Sequence, residues 1–127
     1  MPKTDYKKEN FDIDLDFGFK GEDWVIKLFE GNEKIEVKTE RSLWKETGNI
    51  AIEVKYKGRP SGISTTKADT WIHLLEDNKE ILGGFILPVK YLRQRIKKLF
   101  HEGEIKMVNG GDNDDSSIVL LPIKKIY

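Results

Sequence analysis

At 127 residues the chain has the size of one compact domain, long enough to bury a core without a disulfide or a structural metal. It has no cysteine, which excludes a disulfide framework, a cysteine nucleophile and thiolate zinc sites. Its 22 basic and 22 acidic side chains cancel, which argues against a protein that coats nucleic acid through net positive field. The opening MPKTDYKKENFDID lacks an apolar run fit for a signal or a membrane segment, so the expectation is a soluble, cytoplasmic protein (host-cell cytoplasm if viral) with no membrane partner.

In chain order, residues 1–20 read as an N-terminal strand or arm and 21–127 as the core of a single domain. FDIDLDFGF alternates Phe11, Ile13, Leu15 and Phe17 with Asp12, Asp14 and Asp16, the period of a half-buried strand. GEDWVIKLFEG then predicts a helix with Trp24, Val25, Leu28 and Phe29 as its apolar stripe and Gly31 as its stop. Two strands follow. In KIEVKTE, Ile35 and Val37 are expected in the core with Glu36 and Lys38 opposite. In NIAIEVKYK, Ile50, Ile52 and Val54 alternate with Ala51, Glu53 and Lys55. The connection RSLWKETG is long for a tight turn, and the two strands are expected to lie side by side as a hairpin.

GRPSGIS reads as a loop, and Thr66 with Asp69 resembles a capping box that opens a helix burying Ala68, Trp71, Ile72 and Leu75. EILGGFILP reads as an apolar strand covered on both faces. Pro88 starts a further helix with Val89, Leu92, Ile96, Leu99 and Phe100 inward. Glu104 to Val108 and Ser117 to Ile123 close the fold as strands around the acidic turn NGGDNDD. This order predicts an α/β (α+β) fold with a central mixed β-sheet flanked by helices.

The chemistry lies in the doubled Ile-Glu-Val-Lys. On each strand the glutamate and the lysine two residues on share a face, so a hairpin brings two carboxylates and two ammonium groups to one patch. Cross-strand ion pairs on an exposed sheet would explain that patch with no function, at a few tenths of a kcal/mol each. Convergent carboxylates, however, repel unless a cation neutralises them, and hard oxygen ligands without cysteine point to Mg²⁺ or Mn²⁺. A lysine beside such a centre can orient an attacking water or stabilise charge on a phosphate, and Glu22 lies in the preceding helix as a third acid.

The ordered set of a helical acid, a strand acid and Glu-x-Lys resembles the PD-(D/E)xK nuclease superfamily, over the stretch Asp14 to Trp71. TGNIAIEVKYKGRPSGISTTKADTW looks like small phage and viral nucleases of that type. The resemblance implies a restriction-endonuclease-like core, Mg²⁺-dependent cleavage of DNA with Mn²⁺ as a substitute, and a homodimer. Glu36 then stands for the strand acid, Glu53 and Lys55 for the (D/E)xK, and Glu22 for the helical acid. The family's strand acid is usually aspartate, often after proline, where this chain has Ile35-Glu36. The doubled tetrapeptide leaves a second register open, with Glu36 and Lys38 as the (D/E)xK and Asp14 or Asp16 upstream. The superfamily's order favours Lys55. Lys38 shares a face with Glu36 and can lie across from Glu53.

Candidate DNA contacts are Arg59, Ser61, Ser64, Thr65, Thr66 and Lys67, in a loop expected to end at a helix N-terminus that offers amides to phosphate. Arg41, Trp44 and Lys45 in the strand connection are further candidates. The face of KYLRQRIKK with Lys90, Arg93, Arg95, Lys97 and Lys98 either tracks a DNA backbone or is solvated. Trp24 and Trp71 read as core, the Asp ladder as charge guarding an edge, and His73 and His101 as isolated, with His73 on a polar helix face. The reading that follows is a metal-dependent endodeoxyribonuclease, and the resemblance to phage resolvases implies specificity for branched DNA such as a Holliday junction. The alternatives are a non-catalytic nuclease-like DNA-binding module and a subunit-docking protein.

Overall fold

A computed structural model of the chain describes residues 20–127. The strand or arm expected before them, with its Asp ladder, lies outside the described residues. The chain divides into two compact units, residues 1–33 and Lys34–Tyr127. In the first, helix α1 spans residues 20–29 and a turn with Gly31 at φ 74° follows it, as the glycine signal predicts. Of its expected stripe, Trp24 and Leu28 are half-buried, whereas Val25 and Phe29 are exposed.

The second unit holds strands β1 (Ile35–Glu40), β2 (Asn49–Tyr56), β3 (Arg59–Pro60), β4 (Thr70–Asp77), β5 (Glu80–Pro88), β6 (Met107–Gly110) and β7 (Ser116–Pro122). Its helices are the single-turn α2 (Trp44–Thr47) and the longer α3 (Val89–His101). The fold is α+β. One sheet has the order β1–β4–β5 and is mixed, with β1 parallel to β4 and β4 antiparallel to β5. The other has the order β3–β2–β7–β6 and is antiparallel throughout.

Two expectations fail here. The two Ile-Glu-Val-Lys strands do not form a hairpin, because β1 pairs with β4 and β2 with β7. RSLWKETG instead carries the chain from one sheet to the other through α2. The Trp44 indole N–H donates to the Glu76 carbonyl at 2.7 Å and Lys45 pairs with Asp77 at 2.8 Å, so this connection is tied to the end of β4. The segment expected as a helix from Thr66 is strand β4. Its apolar residues satisfy both periods, since Trp71 and Leu75 are also two strand steps either side of position 73. Position 73 decides: a buried His73 belongs to the same inner face as Trp71 in a strand, and would be misplaced on a helix. The turn to β5 uses Asn78 and Lys79, both with positive φ, as a two-residue type I′ hairpin requires.

Ile50, Ile52 and Val54 of β2, Val119 and Leu121 of β7, Trp71 and Leu87 of the other sheet, and Val89, Leu92, Ile96 and Leu99 of α3 form one hydrophobic core. Phe100, expected with them, is exposed, and β5 is open along most of its length rather than covered on both faces. The polarity of β1 is also reversed. Ile35 and Val37 face solvent, while Glu36, Lys38 and Glu40 lie opposite Trp71, His73 and Leu75 in the parallel register, on the inner face. β1 is the edge of its sheet, and its inner face looks on a cleft rather than on packed side chains.

These burials set different costs for truncating two similar side chains. Ile52→Ala, at 1% exposure, is expected to lose about 2–5 kcal/mol of unfolding free energy in a urea titration. Val37→Ala, at 51% exposure, is expected to lose less than about 1 kcal/mol. Equal large losses would restore Val37 to the core and overturn the orientation of β1.

Candidate active site

Between β1 and β2 lies a cleft of about 240 Å³ lined by Lys38, Thr39, Glu40, Ala51, Glu53, Trp71 and His73. Lys38 of the first tetrapeptide and Glu53 of the second thus meet at one site although their strands belong to different sheets. Glu36 sits on the same face of β1, 3.8 Å from the Lys38 ammonium, without lining the cleft itself.

Glu53 is held at both carboxylate oxygens. Ser116 Oγ of β7 donates to Oε1 at 2.7 Å and Ser61 Oγ donates to Oε2 at 3.0 Å. Each oxygen keeps a second lone pair for another partner. The loop that brings Ser61 is short and closely seated. Lys57 and Gly58, both at positive φ, turn β2 into β3, and Ser64 Oγ donates back to the Val54 carbonyl at 2.8 Å. Gly62 takes φ 56°, and a Cβ there would stand 2.2 Å from the Glu53 carbonyl oxygen. Arg93 of α3 holds the loop from below, donating from Nε to the Ile63 carbonyl at 2.8 Å and from Nη2 to the Thr66 carbonyl at 2.6 Å. Thr66 Oγ1 in turn donates to Glu36 Oε1 at 3.3 Å. One loop therefore contacts the glutamate of each tetrapeptide.

Sequence reasoning missed two residues of the cleft, Glu40 and His73. The imidazole is 1% exposed, with Nε2 2.8 Å from Glu40 Oε1 and Nδ1 accepting the Trp71 indole N–H at 3.1 Å. The same Glu40 oxygen accepts the Ala51 backbone N–H at 2.9 Å. Had position 73 been read on a strand, its alternation with Trp71 would have turned it inward; the helical reading placed it outside.

The remaining expected residues are distributed more widely. Lys55 is exposed and does not line the cleft; a register shift between Glu53 and Lys55 in the pairing with β7 separates the two. Glu22 is exposed on α1 in the first unit. Arg41, Arg59, Thr65 and Lys67 are exposed. Ser61, Ser64 and Thr66 spend their hydroxyls on the protein, and no helix N-terminus follows them, since β4 does. Trp44 and Lys45 are engaged by the end of β4. On α3, Arg95 binds the carbonyls of Lys125 and Tyr127 while Lys90, Lys97 and Lys98 stay exposed. Among the described residues no helix is long and apolar enough to cross a membrane.

The donors at the cleft suit a hard cation such as Mg²⁺ in kind, being carboxylate oxygens. Among the described residues no three histidine, aspartate or glutamate side chains come together as a closed metal centre. Glu40 and Glu53, which both line the cleft, are the carboxylates that would hold such an ion, with waters and substrate phosphate oxygens taking the other positions, as is common for Mg²⁺. No family model, curated protein or solved structure matches this chain.

The close seating of the loop is open to test. Gly62→Ala is expected to cost at least about 1–2 kcal/mol, the scale of one non-glycine residue held in the left-handed region, before any clash with Glu53 is added. An unchanged urea midpoint would mean that the loop does not rest on β2 as described.

Proposed function

We propose that this chain is a Mg²⁺-dependent DNA endonuclease of the PD-(D/E)xK kind, hydrolysing phosphodiester bonds at the cleft between β1 and β2. The observation that carries the reading is the meeting of Lys38 and Glu53 in that cleft. Two surface ladders of ion pairs would have no reason to converge from strands in separate sheets.

In this reading Glu53 and Glu40 would hold the cation, which would supply polarisation of the phosphate and activation of a water. Glu53 is kept in place by Ser61 and Ser116, so it meets the substrate without rearranging. Lys38 presents an ammonium to the cleft, where it orients the attacking water or stabilises the charge that grows on the phosphate. Glu36 steers that ammonium from 3.8 Å and is itself fixed by Thr66. The working lysine is thus Lys38, and Lys55, with the exposed Arg41, Arg59 and Lys67, contacts the DNA backbone. Mn²⁺ substitutes for Mg²⁺. A preference for branched DNA and a homodimeric state belong to this proposal through the likeness to phage resolvases.

The experiment is incubation of the purified chain with labelled linear duplex, single strand and four-way junction, with Mg²⁺, Mn²⁺, Ca²⁺ or EDTA. Cleavage is expected with the first two ions, and binding without cleavage with Ca²⁺, whose longer bonds pull less on a bound water. Salt-sensitive binding with no cleavage in any ion would make the chain a DNA-binding module instead. Glu53→Ala is expected to abolish cutting and keep binding. Lys38→Met is expected to lose at least ~100-fold in single-turnover rate, the usual scale of one acid–base or electrostatic contributor, and Lys55→Met less. The opposite ranking of the lysines would keep the nuclease and move the working lysine to β2.

A further inference from the structure

Buried polar groups away from sheet ladders need a reason, because each must be matched to avoid a desolvation penalty. The inner face of β4 contains such a group. His73 stands between Trp71 and Glu40, in a position where a leucine would fill the space with no polar atom to satisfy. Its two ring nitrogens face different partners, and the partners fix what each must do. An indole nitrogen can only donate, so the 3.1 Å contact makes His73 Nδ1 an acceptor without a proton. A neutral imidazole then carries its proton on Nε2, which donates to Glu40 Oε1 at 2.8 Å. The opposite tautomer would set N–H against N–H at Trp71 and a lone pair against a carboxylate at Glu40.

Glu40 Oε1 also takes the Ala51 N–H at 2.9 Å, on the stretch of β2 that β3 does not cover. Both hydrogen bonds fall on the same oxygen. Among the described residues the second oxygen, Oε2, makes no hydrogen bond, and Glu40 lines the cleft with Glu53 and Lys38. A carboxylate used only to stitch β1 to β2 could use either oxygen. One clamped at Oε1 from two sides presents Oε2 in a fixed direction.

We propose that Trp71 and His73 are positioning residues which, through a locked Nε2–H tautomer, hold Glu40 so that its Oε2 serves as a ligand to the divalent cation of this cleft. The inference rests on the nuclease reading above. A partner that orients a ligating side chain typically alters metal affinity or activity 10–100-fold when removed.

The test uses the full chain and two readouts that do not depend on turnover. The first is the ring ¹⁵N spectrum of the histidines without metal, in which His73 is expected as the Nε2–H tautomer, and Trp71→Phe, which keeps a ring but loses the donor, is expected to shift the Nδ1 resonance while Glu40 keeps the proton on Nε2. The second is Mn²⁺ binding, followed by electron paramagnetic resonance without DNA. Glu40→Gln keeps an acceptor for His73 and Ala51 but loses the charge, and is expected to weaken Mn²⁺ at least ~10-fold with a small change in unfolding midpoint. His73→Phe is expected to weaken it by roughly 10–100-fold. His73→Gln, whose amide can donate to Glu40 and accept from Trp71, is expected to restore binding to within about threefold of wild type, on the same second-sphere scale. Rescue by Gln separates positioning from mere space-filling, and Glu40→Gln keeps the test open if His73→Phe does not fold. An Nδ1–H tautomer in the wild type overturns the inference. So does wild-type Mn²⁺ binding by Glu40→Gln in a chain that still cuts DNA, an outcome that leaves the nuclease reading standing. A wild type that neither binds Mn²⁺ nor cuts overturns the nuclease reading and this inference with it, whatever the tautomer.

Discussion

The parallel pairing of β1 with β4 sets Glu36 beside Trp71, Lys38 beside His73 and Glu40 beside Leu75. Residues paired in this way point to the same side of a sheet, so the register alone turns three charged side chains toward the inside of the unit. A one-residue slip would put Ile35, Val37 and Thr39 there instead and send the charges to solvent. The site exists because that slip is prevented. Glu40 bonded to both His73 and Ala51, and Asp69 accepting the Lys34 N–H at 3.2 Å, fix β1 at its two ends.

Charged groups on an inner face are tolerable only where they meet partners or water. Each of the three finds a partner in a different way. Glu36 has Thr66 and Lys38, Glu40 has the imidazole and a backbone amide, and Lys38 faces the cleft. Across the cleft Glu53 has two serine hydroxyls. Among the described residues no buried side-chain nitrogen or oxygen lacks a hydrogen bond. The buried polar atoms around the cleft are therefore matched, and its carboxylates keep spare acceptor capacity. Such a surface can exchange a water for a ligand oxygen without first breaking the scaffold.

The loop between β3 and β4 does a second job that its composition hides. Its hydroxyls and glycine look like a phosphate cradle, yet Ser61, Ser64 and Thr66 turn inward and Arg93 grips the backbone behind them. Arg93 is part of a basic helix face, but a guanidinium that satisfies two carbonyls is committed to structure. The same holds for Arg95.

The sequence by itself determined much of the regular structure. Strand β2, helix α3 from Pro88, the closing strand β7 and the turn at Gly48 were legible because each has one covered face, and a single covered face leaves its period in the sequence. The doubled Glu-x-Lys was legible for the same reason. Strand β4 was not, because both of its faces carry apolar side chains and its spacing satisfied helix and strand alike. Strand β1 was misread in orientation, because the rule that apolar residues face inward assumes a packed core, and an edge strand beside a polar cleft reverses it. Which strands pair was settled only in three dimensions. The pairing of β1 with β4 is a contact between residues about 35 positions apart, fixed by the combined packing of both sheets and α3 and written in no local pattern. That non-local pairing decided that Lys38 rather than Lys55 meets Glu53, and that Glu40 and His73 join them.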